Sequence, residues 1–369
     1  MLRTSWSSLI AACAALAFFT NGPAAAAGKT RLPDPRDTIA SSQAVGPSGI
    51  HTLEAVEIGG IRQWISVRGS DPSNPILLFL HGGPGAPMMP ESWTYQRPWE
   101  DFFTVVQWDQ RGAGKTFAAA NRVPDPKMTV DQMETDAQQL IDLLRHRYHK
   151  DRIFLMGHSW GSILGLRIAQ HHPEGLYAYI GVGQVVNAQR NEAVGYQLTL
   201  EQARASGDKR AIRELEAIAP YPETNGVTPL QKVISERKWD IALGGMLYGQ
   251  KEDDSPRLWR LSPEYNAKDV EAAQLGELSS IQILLPQLAA VDFDRVRTYQ
   301  CPIVFFAGAQ DRTTPESIVA EYYQRIQAPS KQYFRIERAA HYVVTEAPGE
   351  VLVDLVQHVR PLSQPAAAR

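Results

Sequence analysis

The sequence contains little cysteine, no excess of positive charge and no metal-binding motif. Its 369 residues include two cysteines, Cys13 and Cys301, and carry a formal net charge of −3. Without a basic surplus, nucleic acid is not an expected partner. Neither H-E-x-x-H nor C-x-x-C occurs, and Arg111 to Thr116 (RGAGKT) lacks the full spacing of a phosphate loop, so we expect neither a metal nor a cofactor.

The amino terminus has the pattern of an export signal. Arg3 precedes the apolar run from Leu9 to Phe19, and small residues follow at Ala24 to Ala27. This pattern predicts a cleavable signal peptide over residues 1–27 and a periplasmic or secreted protein. The alternative is a membrane anchor, but a run of about a dozen apolar residues is short for spanning a bilayer. Cleavage leaves Cys301 alone, which predicts a buried thiol and no intramolecular disulfide.

Short apolar runs alternate with helical patterns along most of the chain. After an extended lead-in predicted over residues 28–48, eight strands are expected, the first two joined at Gly59-Gly60. The alternation lapses between residues 187 and 297, where the pattern is mostly helical. We therefore predict a mostly parallel sheet with helices on both faces, formed by residues 49–186 and 298–369, and a helical cap over 187–297 inserted after the sixth strand.

A serine flanked by glycines stands where one strand ends and a helix begins. Gly157-His158-Ser159-Trp160-Gly161 matches the G-x-S-x-G nucleophile elbow, in which small residues permit a sharp turn that exposes the serine hydroxyl. A serine needs a general base, and the base needs an orienting acid. Ser159 is therefore the candidate nucleophile.

The acid and the base should follow the serine in that order, each at a strand end. Asp311 lies just past the strand Pro302 to Gly308, and His341 lies just past the strand Lys331 to Arg338. Glu316 is a poorer candidate for the acid because it belongs to the following helix. We therefore predict Asp311 and His341 as the partners of Ser159.

A glycine-rich loop follows the third strand. Acyl transfer places negative charge on a carbonyl oxygen, which requires hydrogen-bond donors already aimed at it. In the segment His81 to Gly85 (HGGPG), glycines allow the backbone to approach closely. We predict that the N–H groups of Gly83 and of Trp160, the residue after the nucleophile, form an oxyanion hole.

Three motifs together give a family resemblance. HGGPG at residues 81–85, DQRG at residues 109–112 and GHSWGS at residues 157–162 resemble the proline iminopeptidase (prolyl aminopeptidase) family of α/β-hydrolases. The resemblance spans about Ile50 to Pro361. It implies an α/β-hydrolase fold, a Ser159–Asp311–His341 triad, a capping insertion over the site, and a bracing role for Asp109 and Arg111 around the oxyanion hole.

The predicted activity is therefore that of a serine hydrolase, namely an aminopeptidase that releases N-terminal proline or small apolar residues from small peptides. An esterase or lactonase on the same scaffold is the alternative, since fold does not fix substrate. A non-catalytic binding protein is a third possibility, and the filled triad argues against it. A substrate amine needs a carboxylate partner, for which Glu192 is the first candidate. The other cap residues considered are Glu201, Glu214, Glu216 and Glu236 for the amine, and Tyr196, Trp239 and Trp259 for the pocket walls.

Overall fold

A computed structural model describes residues 34–224 and 227–364. The predicted signal peptide, residues 1–27, and residues 28–33 of the lead-in lie outside the described residues. The rest of the predicted lead-in is not extended as expected, because Pro35–Ser42 form a helix, α1. Its first turn carries Asp37, which suits the positive end of a helix dipole. Within the described part of the chain, no helix is long and apolar enough to cross a membrane.

Eight strands form one mixed sheet in the order β1-β2-β4-β3-β5-β6-β7-β8. The strands are β1 (Ile50–Ile58), β2 (Ile61–Gly69), β3 (Ile76–Leu80), β4 (Thr104–Asp109), β5 (Ile153–His158), β6 (Leu176–Val182), β7 (Ile303–Gly308) and β8 (Lys331–Ile336). β2 pairs antiparallel with both β1 and β4, and every other neighbouring pair is parallel. The predicted fold is thereby confirmed.

The central strands are continuous apolar runs because the sheet is covered on both faces. The helices of this domain are α2 (Gly114–Ala119), α3 (Val130–Arg147), α4 (Trp160–His171), α10 (Glu316–Arg325), α11 (Val343–Glu346) and α12 (Pro348–Asp354). In β3, Ile76, Leu78 and Leu80 pack into one core with α3 and α4, whereas Leu77 and Phe79 pack into a second core with α12. Burial on both sides explains why alternation is absent from these strands.

Local sequence signals fix several element boundaries. The Thr129 side chain caps α3 by accepting a hydrogen bond from the Gln132 N–H. β6 is shorter than the predicted strand Leu176 to Val186, because Gly183 has a φ of +53° and ends the extended run.

Cys301 is buried, and burial raises the pKa of its thiol to about 11, as expected of a structural cysteine.

Five helices follow β6 before the chain re-enters the sheet at β7. They are α5 (Ala188–Ser206), α6 (Lys209–Ala217), α7 (Leu230–Ala242), α8 (Ser255–Leu261) and α9 (Ala267–Leu288). α5, α6 and α7 share a small core built on Tyr196, Leu215 and Trp239. Ser280 of α9 and its neighbour Glu277 lie against Gly85 of the HGGPG loop, where an added Cβ would be 2.8 Å from Ser280. The insertion therefore covers the carboxyl ends of the central strands.

Candidate active site

The turn between β5 and α4 is compact enough that only glycine fits on either side of Ser159. A Cβ at Gly157 would lie 2.4 Å from the Gly161 carbonyl oxygen, and a Cβ at Gly161 would lie 2.1 Å from the Leu80 carbonyl oxygen. Ser159 itself has a φ of +52°, a conformation that side chains rarely adopt. This strained turn places Ser159 in the wall of a cavity of about 550 Å³.

Asp311 and His341 come together beside that cavity. His341 Nδ1 lies 2.9 Å from Asp311 Oδ2, and both side chains are buried. Thr314 holds the carboxylate in place, because its backbone N–H and hydroxyl donate to the two oxygens at 2.7 and 2.6 Å. Ser159 and His341 line the same cavity. The described residues thus place His341 in contact with Asp311 and in the wall of the same cavity as Ser159.

His158, the residue before Ser159, holds the backbone of His341 in place. His158 Nε2 lies 2.9 Å from the backbone carbonyl oxygen of His341, which can only accept, so Nε2 carries the proton. Burial and the nearby His341 together lower the pKa of His158 to about 3, so the ring stays neutral. His158 therefore fixes the backbone of His341, a role that the pentapeptide pattern does not reveal.

The oxyanion-hole candidates also border the cavity. Gly83 and Trp160 both line it. Trp160 is the first residue of α4, where a backbone N–H has no partner within its own helix. Gly83 has a φ of +109°, and a Cβ there would lie 2.6 Å from the backbone nitrogens of Gly85 and Ala86. Such a glycine-rich turn can present backbone N–H groups to a developing negative charge.

Gln110 joins the three sequence motifs. Its backbone N–H donates to His81 Nε2 at 3.3 Å, and its side-chain amide donates to the His81 carbonyl oxygen at 3.2 Å. Its side-chain oxygen accepts from the Trp160 indole at 2.9 Å. Burial lowers the pKa of His81 to about 4, which keeps this ring neutral and able to accept. The middle motif therefore ties the HGGPG loop to the elbow.

In the described residues the side chains of Asp109 and Arg111 hydrogen-bond to other parts of the fold and not to the HGGPG loop or the elbow, which corrects the bracing role expected of both. The Arg111 guanidinium contacts Asp136 at 2.9 Å and the Gly59 carbonyl oxygen at 2.8 Å, so it fastens α3 and the β1–β2 turn. Asp109 accepts from the Lys115 N–H at 2.7 Å and from the Tyr265 hydroxyl. Asp109 thereby links the sheet to α2 and to the cap.

Glu192 lies in the cavity wall, as a partner for the substrate amine must, but its carboxylate already has hydrogen-bond partners within the protein. It accepts hydrogen bonds from Arg237 and from the Tyr221 hydroxyl. Arg237 also pairs with the fully buried Glu236. Arg237 therefore already supplies the cation that Glu192 would otherwise draw from a substrate.

Of the remaining cap candidates, Glu214 and Glu216 form ion pairs with Lys238 and Arg204 and do not line the cavity, nor does Glu201. Tyr196 and Trp239 belong to the cap core, whereas Trp259 lines an adjoining cavity of about 270 Å³.

Three acids that sequence reasoning missed surround that adjoining cavity. We call Glu91, Asp253 and Glu277 the acidic end; all three line the smaller cavity, and Asp253 and Glu277 also line the larger one. In the described ranges none of the three pairs with a lysine, arginine or histidine. Burial and the Asp253 charge together raise the pKa of Glu91 to about 7, whereas Asp253 and Glu277 are exposed to solvent in the cavity wall. Glu91 lies in a 3-10 turn, Asp253 in a loop and Glu277 in α9, so no local sequence pattern predicts that the three lie together.

The site offers the parts of an acyl-transfer centre and no cluster for a metal. Among residues 34–224 and 227–364, no group of three or more His, Cys, Asp or Glu side chains could hold a metal ion. The histidine–carboxylate contact can orient an imidazole toward a serine hydroxyl. The cavity wall is largely apolar and also contains charged side chains, among them Arg237, Asp253 and Glu277. Such a wall suits a substrate that has both apolar and charged groups.

Comparison with known proteins places the chain in a family. The sequence model of the α/β-hydrolase fold family matches residues 75–348. A Bacillus subtilis (strain 168) protein named "Probable aminopeptidase YbaC" is 31% identical over 315 residues, which cover 84% of this chain and 97% of that one. A proline iminopeptidase from Heyndrickxia coagulans is 23% identical over 282 residues, covering 75% of this chain and 87% of that one.

Solved structures agree on the architecture. The crystal structure of a Mycobacterium smegmatis proline iminopeptidase has a TM-score of 0.60 and 18% identity, and the match covers 85% of this chain and 99% of that chain. A proline iminopeptidase-related protein from Thermus thermophilus has a TM-score of 0.57 and 20% identity, over 85% and 98% of the two chains. The chain belongs to the α/β-hydrolase fold family, and its relatives include aminopeptidases and proline iminopeptidases.

Proposed function

We propose that the protein is a serine aminopeptidase that releases the N-terminal residue of small peptides through an acyl-enzyme. Ser159 attacks the scissile carbonyl, and His341 takes its proton and passes it to the leaving amine. Asp311 orients the imidazole and stabilises its charged form. The N–H groups of Gly83 and Trp160 receive the oxyanion. The shared cavity and the 2.9 Å contact between His341 and Asp311 support these roles.

The acidic end is the observation that favours an aminopeptidase over an esterase. Glu91, Asp253 and Glu277 line the smaller cavity, which adjoins the cavity that Ser159 lines, and in the described part of the chain they have no cationic partner. Carboxylates that repel one another in a partly buried site are relieved by a cation, and the α-ammonium of a peptide is such a cation. The acidic end therefore replaces Glu192 as the proposed site for the substrate amine.

One glycine-rich loop lies against both Ser159 and the helix that carries Glu277, which favours a short acyl residue and hence an exopeptidase. Gly82 borders the smaller cavity, and a Cβ there would lie 3.3 Å from Ser159 Cβ. Gly85 of the same loop approaches Glu277, since its Cβ would lie 3.0 Å from Glu277 Cα. The nucleophile and the acidic end are thus separated by one glycine-rich loop. Trp259 and Met88 supply apolar walls for a small or cyclic side chain in this cavity.

The decisive assay compares three substrate types on the purified enzyme. We expect prolyl and alanyl amides with a free amine to be cleaved, and N-acetylation to lower kcat/KM more than tenfold, because a buried charge pair is lost. Glu277→Gln should lower kcat/KM for the free amines and spare simple acyl esters. Glu271→Gln is the matched control, since Glu271 lies on the same helix but pairs with Arg122 outside the cavity.

Contrary outcomes separate the alternatives. If acetylation made no difference, or if esters alone were cleaved, an esterase or lactonase would replace the aminopeptidase. If a fluorophosphonate probe failed to label the folded protein, a binding protein would replace both. We further propose that the protein acts outside the cytoplasm, on the strength of the signal-peptide pattern over residues 1–27.

A further inference from the structure

Asn191 of α5 is a buried amide without hydrogen-bond partners in the wall of the catalytic cavity. Its side chain is 3% exposed and lines the cavity together with Ser159 and His341. Neither its amide nitrogen nor its amide oxygen has a partner among the residues that the structure describes. Such groups are rare in folded proteins, and each one requires an explanation.

Several neighbouring buried polar side chains have partners. The Thr199 hydroxyl, two turns further along α5, donates to Glu236 at 2.9 Å. The Thr313 and Thr314 hydroxyls donate to Asp240 and Asp311 at 2.9 and 2.6 Å. Among the described residues nearby, His158 Nδ1 and Asp240 Oδ1 also lack a hydrogen-bond partner, but Asn191 differs in that its donor and its acceptor are both unpartnered.

The position of Asn191 on α5 directs it toward the reacting groups. Gly195 lies one turn later, and a Cβ there would be 2.2 Å from the carbonyl oxygen of Arg312, the residue after Asp311. Residues four apart share a helix face, so Asn191 lies on the face that borders the Asp311 loop. Rotation about the broad χ2 torsion of asparagine turns the amide toward the cavity at little cost.

A group that satisfies both amide atoms must supply one acceptor and one donor. An extended peptide residue does so, because its own N–H and its own carbonyl oxygen point to the same side of the backbone: the N–H donates to Oδ1 and the carbonyl oxygen accepts from Nδ2. An ester supplies acceptors only. In the proposed reaction the scissile carbonyl occupies the oxyanion hole, and the acyl side ends at a free amine. The scissile nitrogen leaves as the amine that His341 protonates, so the second residue on the leaving side is the first to offer both an N–H and a carbonyl oxygen.

We propose that Asn191 binds the backbone N–H and carbonyl oxygen of the second leaving-side residue, so that the enzyme prefers peptides of three or more residues to dipeptides, aryl amides and esters. The inference rests on the proposed aminopeptidase function and names the substrate class for it. It makes Asn191 a specificity-determining residue on the leaving-group side of the site.

The test measures kcat/KM of wild type and Asn191→Leu on Pro-Ala-Ala amide and on prolyl-4-nitroanilide. The variant should lose about tenfold or more on the peptide and less than twofold on the anilide. Its thermal midpoint should rise, because leucine has similar size and leaves no unpartnered polar atom. A purely structural asparagine would instead lose stability and affect both substrates alike.

Thr199→Val is the matched control, because it removes a partnered buried hydroxyl from the same helix. It should lower the thermal midpoint and change both substrates equally. If leucine disrupts folding, Asn191→Ala repeats the comparison without added bulk. Equal losses on the two substrates, or none on the peptide, would overturn the role of Asn191 while leaving the aminopeptidase intact. Cleavage of N-acetylated substrates or esters alone would overturn both.

Discussion

Glu91 offers a quantitative test of the acidic end, through the pH dependence of stability. Its side chain is 3% exposed, and the Trp259 indole donates to its Oε2 at 3.3 Å. Burial raises the pKa of Glu91 from 4.5 to about 7. The folded protein therefore keeps a proton on this carboxyl over a pH range in which the unfolded chain has released it.

The direction in which stability changes with pH follows from that difference in bound protons. Stability from Glu91 is fully present below pH 4.5 and is lost as the pH rises through about 7. A difference of about 2.5 pKa units corresponds to about 3 kcal/mol of the free energy of unfolding. Glu91→Gln should remove this loss, because the amide is neutral throughout and still accepts from the Trp259 indole.

Urea unfolding at pH 4.5, 6 and 8 measures the effect. The free energy of unfolding of wild type, relative to that of Glu91→Gln, should fall by about 3 kcal/mol between the extremes. Glu252→Gln, an exposed acid in the loop next to Asp253, should follow the wild-type curve. If wild type and Glu91→Gln gave parallel curves, burial would not set the pKa of Glu91, and the electrostatic basis of the acidic end would fail.

Three further predictions concern the catalytic groups and export. Ser159→Ala and His341→Ala should each remove nearly all turnover while circular dichroism shows an intact fold, because triad members act as a unit; measurable turnover in Ser159→Ala would assign the nucleophile elsewhere. Asp311→Asn should lower kcat on the order of 10⁴-fold by misorienting the imidazole. If it stayed near normal, Glu316 would be tested next, although its carboxylate already contacts Tyr333. Mass spectrometry of the protein from its host should find an amino terminus near Gly28, and an intact Met1 in a cytosolic fraction would exclude export.

The placement of Ser159, Asp311 and His341 in the candidate site could be predicted because the signals for it are local. Gly157 and Gly161 mark the elbow, since any side chain at either position would collide with the backbone. Parallel strands bring their carboxyl ends to one edge of the sheet, so Asp311 and His341 could be placed from strand boundaries alone. Each of these inferences needs only a short segment and the topology.

The acidic end could not be predicted from the sequence. Which carboxylates have a protein cation as partner depends on contacts between segments that are far apart in the chain. Nearness to β6 favours Glu192 in the sequence, but Arg237, 45 residues later, already holds it. Glu91 precedes Glu277 by half of the chain, and only the fold brings them to one cavity. A carboxylate looks the same in sequence whether a protein cation or a substrate neutralises it.

The three family motifs lie in the sheet domain, whereas most of the proposed substrate contacts lie in the cap. This separation explains why the motifs predict the type of reaction better than the substrate. Gln110 connects His81 to Trp160, so the HGGPG, DQRG and GHSWGS motifs act as one hydrogen-bonded unit around the nucleophile. That unit contains no group selective for a free amine. Asp253, Glu277 and Asn191 all lie in the inserted segment. A hydrolase that keeps the three motifs can therefore change its substrate by changes in the cap, and the cap is where variants should separate specificity from turnover.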